Sequence, residues 1–161
     1  IALSSRFHDE IYIIDHSTTT EEAAGHTGGN SGMGGDFLYR WGNPHSYNRG
    51  GDLDRVLDDQ HSVNWIPEGY PGEGNLILFN NNYGSNSAVF EIVTPINEEG
   101  TYSISPGQPY GPVEPIWIHT GPFHTQMQGG AFRLPNGNTL ITDCNDATIF
   151  EVTYDLSLIH I

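Results

Sequence analysis

The residues able to do chemistry in this chain are few. His61 lies in LDDQHSVNWIP (57–67), just after an acidic loop and at the mouth of an aromatic strand. A neutral imidazole can act as nucleophile, base or metal ligand. The plainer role is a strand-end histidine bonded to backbone. Arg6 closes the apolar run LSSR. Its planar fork of donors suits sulfate, phosphate or carboxylate. The competing role is an ion pair with one of the 20 acidic residues. The stretch IDHSTTTEEAAGHTGGNSGMGGD (14–36) holds His16, His26, Glu21 and Glu22. That spacing is unspecific for a metal, and the Gly-Lys-Ser/Thr of a phosphate-binding loop is missing. It reads as a long inter-strand loop with one helical turn at TTEEAA, capped by Thr18 or Thr19. Cys144 is the only cysteine, so no internal disulfide can form. Within TLITDC it reads as a small packed strand residue. His45, His119 and His124 read as structural, and Trp41 and Trp117 as packing residues.

The formal charge is −15, with five arginines and no lysine. Nucleic acid and anionic membrane surfaces need a basic footprint and are therefore not expected partners. Only 36% of residues are hydrophobic, but 20 Gly and 10 Pro mark a turn-rich all-β chain rather than a disordered one. No apolar run is long enough to span a bilayer. No signal peptide is visible, and the chain opens at Ile1 in mid-strand. The last six residues, LSLIHI (156–161), match one reading frame of a transposon-end sequencing adaptor. They are set aside as a non-native tail, His160 included; the other reading is a short strand.

The elements that must hold these side chains repeat. LSSRFHDEIYIID (3–15), NLILFNNNYGSNSAVFEIVT (75–94) and NTLITDCNDATIFEVT (138–153) each give a strand, a polar turn and a strand with a matching aromatic: Tyr12, Phe90 or Phe150. NWIPEGYPGEGN (64–75) matches FRLPNGN (132–138), a strand and tight turn. DFLYRWGNP (36–44) recurs as EPIWIHTGP (114–122). Phe90 to Phe150 is 60 residues and Trp41 to Trp117 is 76. Four-stranded antiparallel units at such a period point to blades of a β-propeller. The pieces span about 1–44, 62–122 and 130–155, within a partial propeller over 1–155. Blades bury their faces on one another, so three incomplete blades are expected to be unstable alone. A β-sandwich is the alternative. In a propeller QHSVNWIP is an innermost strand, and His61 enters the central channel.

Several stretches resemble the bacterial arylsulfate sulfotransferases: SSRFHDEIYIIDHSTTTEEAAGHTGG, GDFLYRWGNP, QHSVNWIPEGYPGEGNLILFNN and RLPNGNTLIT…IFEVT. The resemblance covers essentially all of 1–155. It implies a propeller of about six blades. It also implies transfer of a sulfuryl group from an aryl sulfate donor to a phenolic acceptor, through a sulfohistidine, without nucleotide, metal or other cofactor. His61, in the Gln-His motif, matches the nucleophile. Arg6, in Ser-Ser-Arg, matches an arginine that holds the sulfuryl oxygens. The family is exported, which implies a periplasmic or extracellular setting. Its His-x-Asn pair precedes Ser-Ser-Arg, and a further histidine belongs to an earlier blade; this chain starts after both. The isolated chain is therefore expected to be inactive. The turn CNDAT (144–148) departs from the Gly-rich turn expected there. Two other functions remain open: a non-catalytic propeller that binds polysaccharide or protein, and a sulfate-ester hydrolase.

Overall fold

The computed structural model describes residues 1–159. Among the described residues eleven strands form three small antiparallel sheets. The first holds β1 (Ala2–Ser5), β2 (Glu10–Ile14) and β3 (Phe37–Trp41), in that order. The second is a meander of β4 (His61–Trp65), β5 (Leu76–Tyr83), β6 (Asn86–Ile92) and β7 (Trp117–Thr120). The third runs β8 (Gly130–Arg133), β9 (Thr139–Asp143), β10 (Thr148–Val152) and β11 (Leu158–Ile159). The tail set aside above thus contributes a two-residue edge strand on β10, while His160 and Ile161 lie outside the described residues. Among the described residues no helix is long and apolar enough to cross a membrane.

The apolar run NLILF becomes the centre of the molecule because both faces of its sheet are covered. Leu76 and Leu78 of β5, with Ala88, Phe90 and Ile92 of β6, pack against Ile11, Ile13, Tyr39 and Trp41 of the first sheet. The alternate residues Ile77, Phe79 and Val89 pack on the other side with Ala131, Ile141 and Val152 of the third. Strand side chains alternate between faces, so a doubly buried strand reads as continuously apolar. Truncating a side chain such as Phe90, fully buried, costs about 3–5 kcal/mol. Gly84, at φ 66°, takes the first position of the two-residue loop between β5 and β6, the place where a type II′ hairpin requires glycine. Gly129 allows a close approach: a Cβ there would lie 2.7 Å from the Phe79 ring.

The register corrects one equivalence, that of Trp41 with Trp117 at a spacing of 76, and keeps 36–44 aligned end to end with 114–122. Tyr12 faces Arg40 and Ile13 faces Tyr39, while Phe90 faces Ile118 and Glu91 faces Trp117. With Tyr12 and Phe90 equivalent, Trp117 corresponds to Tyr39, and His119 takes the place of Trp41. The two equivalents do the same job. Tyr39 Oη donates to the carbonyl of Gly111 at 2.8 Å, in the β6–β7 connection of the second sheet. Trp117 Nε1 donates to the carbonyl of Tyr154 at 2.8 Å, in the β10–β11 connection of the third. Trp41 Nε1 adds a bond to Pro112 O at 2.7 Å.

Loop chemistry follows the sequence closely. The helical turn is α1 (Thr20–Ala23), and Thr19 caps it in a reciprocal capping box with Glu22. Cys144 is not packed: β9 ends at Asp143, and the cysteine is exposed in the following turn. In that turn Ala147, at φ 52°, adopts the left-handed conformation that glycine would take more easily.

Candidate active site

The Ser-Ser-Arg and Gln-His segments are hydrogen-bonded to each other. β1 lies beside β4. Ser4 Oγ donates to the backbone oxygen of Gln60 at 3.0 Å and accepts from Gln60 Nε2 at 3.3 Å. The same Nε2 donates to Glu10 O at 2.7 Å. Gln60 is fully buried, so these bonds set where the next residue, His61, begins its strand.

The backbone around His61 is unusual. Asp59, at φ 54°, and Ser62, at φ 58°, are both left-handed and bracket Gln60 and His61. The register with β5 shifts between His61 and Asn64, a bulge that re-aims side chains. Asn64 holds it in place: its Nδ2 donates to Ser62 O at 2.9 Å and to Ala131 O at 3.0 Å on β8. Asp59 adopts this region readily, while Ser62 costs about 1–2 kcal/mol there, a strain that concentrates at functional sites.

The His61 ring is half-buried, and its Nδ1 lies 2.8 Å from Asn81 Oδ1. Asn81 is fully buried on β5. Its Nδ2 donates to Thr125 O at 2.7 Å and to Gln128 O at 2.8 Å.

Arg6 opens a 3-10 turn, Arg6–His8, directly after β1. Its Nε and Nη2 meet Asp59 Oδ1 and Oδ2 at 3.0 and 3.1 Å. The ion-pair role anticipated for Arg6 is therefore filled, on one edge of the guanidinium; Nη1 has no hydrogen-bond partner among the described residues. Asn82 Nδ2 also donates to Asp59 Oδ2, at 3.3 Å. Because Asn82 follows Asn81, the environments of Arg6 and His61 share one strand.

Asp9, Asp58 and Asp59 converge, with ligand-capable oxygens within 4.8 Å of one another. Arg55 already donates to Asp9 at 2.7 Å and to Asp58 at 3.1 Å, and Arg6 to Asp59. The cluster is thus cross-linked by guanidinium groups. The His16, His26, Glu21 and Glu22 set is not assembled into a metal-competent group among the described residues. Glu22 is used in the α1 cap, and His26 Nδ1 pairs with Asp36 at 2.7 Å.

Elsewhere, Glu10 is fully buried; it receives Arg40 on both oxygens and Tyr12 Oη at 2.9 Å. Burial, and then that bond to Glu10, push the Tyr12 hydroxyl up to about 12. His45 pairs with Asp52 at 2.6 Å, and His124 is exposed in a loop. His119 stacks between Trp117 and Phe123, and its burial lowers the pKa of the ring.

Sequence reasoning missed Asn81, Asp59 and the bulge at Ser62. One signal was available: three consecutive asparagines, Asn80 to Asn82, interrupt an otherwise apolar buried strand, where asparagine is depleted. Comparison with known proteins adds no family: no protein-family profile matches the chain, and no curated protein matches it.

Proposed function

We propose that this chain is part of a β-propeller enzyme that moves a sulfuryl group from an aryl sulfate to a phenol, with His61 as the nucleophile and Arg6 as the cation that holds the sulfuryl oxygens. The observation that carries the reading is the bonding of two motif segments far apart in sequence, Ser4 to Gln60 and Arg6 to Asp59. It ties the segment that carries Arg6 to the segment that carries His61. The resemblance of these motifs to the arylsulfate sulfotransferases supports the same assignment. Three antiparallel sheets stacked face on face support the propeller, as does the apolar surface left on the outer two. Leu3 and Phe37 on the first sheet, and Phe132 and Ile149 on the third, are each more than 40% exposed, as on blades that await neighbours.

In the first half-reaction, the lone pair of the neutral ring attacks sulfur and an N–S bond forms. The S–O bond to the aryl group breaks, and the phenolate leaves to take a proton from water. In the second, the oxygen of an acceptor phenol attacks the same sulfur and its proton passes to water. The N–S bond breaks, and its electron pair returns to the ring. Charge spreads over the three equatorial oxygens, as in phosphoryl transfer, so a positioned cation provides most of the protein's contribution. Asp59 fixes the plane of the Arg6 guanidinium and leaves Nη1 to donate.

The same Asp59 contact favours a second reading, in which Arg6 is purely structural and the sheets form a non-catalytic binding protein. One assay separates the two. The full-length protein carrying this sequence is given p-nitrophenyl sulfate, with and without phenol, and no nucleotide donor. Phenol-dependent release of p-nitrophenol that disappears in His61→Asn is expected. Release indifferent to phenol indicates hydrolysis. No release from the folded protein overturns the enzyme.

A further inference from the structure

We infer that Asn81 is a positioning residue that fixes the tautomer of His61, so that Nε2 carries the free lone pair, and that Asp143 and Thr125 on the third-sheet side hold Asn81 in place. The attacking role given to Nε2 rests on the function proposed above; the tautomer does not.

The Asn81 amide nitrogen faces two carbonyl oxygens, Thr125 O at 2.7 Å and Gln128 O at 2.8 Å. Turning the amide over would set its own oxygen against both, an oxygen–oxygen repulsion at two contacts in a buried site. The orientation is thus dictated by the network. Asn81 Oδ1 can then only accept, and the atom facing it at 2.8 Å is His61 Nδ1. Nδ1 carries the proton, and in the neutral ring Nε2 does not.

The support continues outward. Ser87 Oγ donates to Asn81 O at 2.7 Å and accepts from Thr125 N at 3.0 Å. Thr125 Oγ1 donates to Asp143 Oδ1 at 2.5 Å. Asn81, Ser87, Thr125 and Asp143 are each no more than 2% exposed. A buried polar group in such a chain is held only where its bonds are complete. The connection from β7 to β8 is thereby tied at Thr125 to Asp143 on β9 and to Asn81 on β5, and at Gln128 to Asn81 again. An amide suits this position because it accepts from Nδ1–H without adding a negative charge next to an incoming anionic ester.

The test uses the full-length protein labelled with 15N-histidine, at a pH where the rings are neutral. Long-range proton–nitrogen correlation distinguishes the two ring nitrogens, and His61→Asn identifies the His61 signals by their loss. The expected wild-type pattern is a pyrrole-type Nδ1 and a pyridine-type Nε2. The reverse pattern overturns the inference. In Asn81→Ala the pattern should move toward the Nε2–H form favoured by free imidazole, and p-nitrophenol release should fall about 10–100-fold, the scale seen when a metal-bound histidine loses its orienting partner. An unchanged pattern in that variant removes Asn81 from the role. Should Asn81→Ala fail to fold, Thr125→Val leaves the amide in place and cuts only the bond to Asp143. It should broaden or shift the same Nδ1 signal, and a signal identical to wild type removes Asp143 from the network. The assigned tautomer in a protein without sulfuryl transfer discards the nucleophile and keeps the positioning. Transfer by a protein whose ring is Nε2–H overturns the positioning alone.

Discussion

Arg133 on β8 and Glu91 on β6 form an ion pair with both side chains out of solvent, 0% and 1% exposed. It joins the second sheet to the third. The guanidinium lies beside the stacked Trp117–Tyr154 pair, 5.1 and 5.2 Å from their ring centroids, and Nη1 donates to Gly137 O at 2.8 Å. Asn75 Nδ2 completes the carboxylate at 2.7 Å. Removing one partner strands a buried charge, which costs about 3–5 kcal/mol. Glu91→Ala is expected to lower the unfolding free energy by that amount in urea titrations. Equal stability of Glu91→Ala and wild type would show that the pair is dispensable.

Arg6 and Asp59 should behave differently. Both are 28% exposed, so solvent screens the pair and its loss should cost about 1 kcal/mol or less in stability. Its effect on turnover should be larger. Arg6→Lys keeps the charge and loses the planar fork. It is expected to reduce kcat/KM for p-nitrophenyl sulfate by about 10²–10³, the scale of losing one donor to a developing anion. Turnover unchanged in a folded Arg6→Lys protein rejects the clamp.

His119 predicts a pH dependence. Burial between Trp117 and Phe123 lowers its pKa in the folded state, against about 6.5 when unfolded. Asp143 and Asp146 line the same cavity. Between those two values the unfolded chain binds more protons. Stability is therefore full above about pH 6.5 and declines as the pH falls toward the folded value. Urea midpoints at pH 7.5 and pH 5 should show this decline, and His119→Phe, which retains the stack, should reduce it.

The legible parts of the chain are those governed by local chemistry. β5 and β6 are readable from NLILF and SAVFEI around a polar turn, and the cap of α1 to within Thr18 or Thr19, of which the structure selects Thr19. The pairing of Trp41 with Trp117 misleads because an aromatic is needed at that face but its identity is free. Tyr39 and Trp117 both reach a carbonyl, one through a hydroxyl and one through an indole. Cys144 misleads because the strand ends one residue earlier, at Asp143, whose carboxylate accepts from Asn145 N at 3.1 Å as well as from Thr125. His61 and Arg6 stand out by residue type. Their partners do not, because Asp59 is 53 residues from Arg6 and the carbonyls that orient Asn81 are 44 and 47 residues from it. Such roles depend on how the sheets stack, which no local pattern encodes.

The bonds from Tyr39 to Gly111 and from Trp117 to Tyr154 both point the same way along the chain. Each outer strand is secured by a loop made later than itself. During synthesis β3 can pair with β2 as soon as it emerges, but its Tyr39 and Trp41 donors stay unmet until Gly111 and Pro112 have left the ribosome. Consolidation must therefore trail translation by roughly one sheet. A chain stalled before Gly111 and Pro112 emerge would leave the Tyr39 and Trp41 donors without these partners.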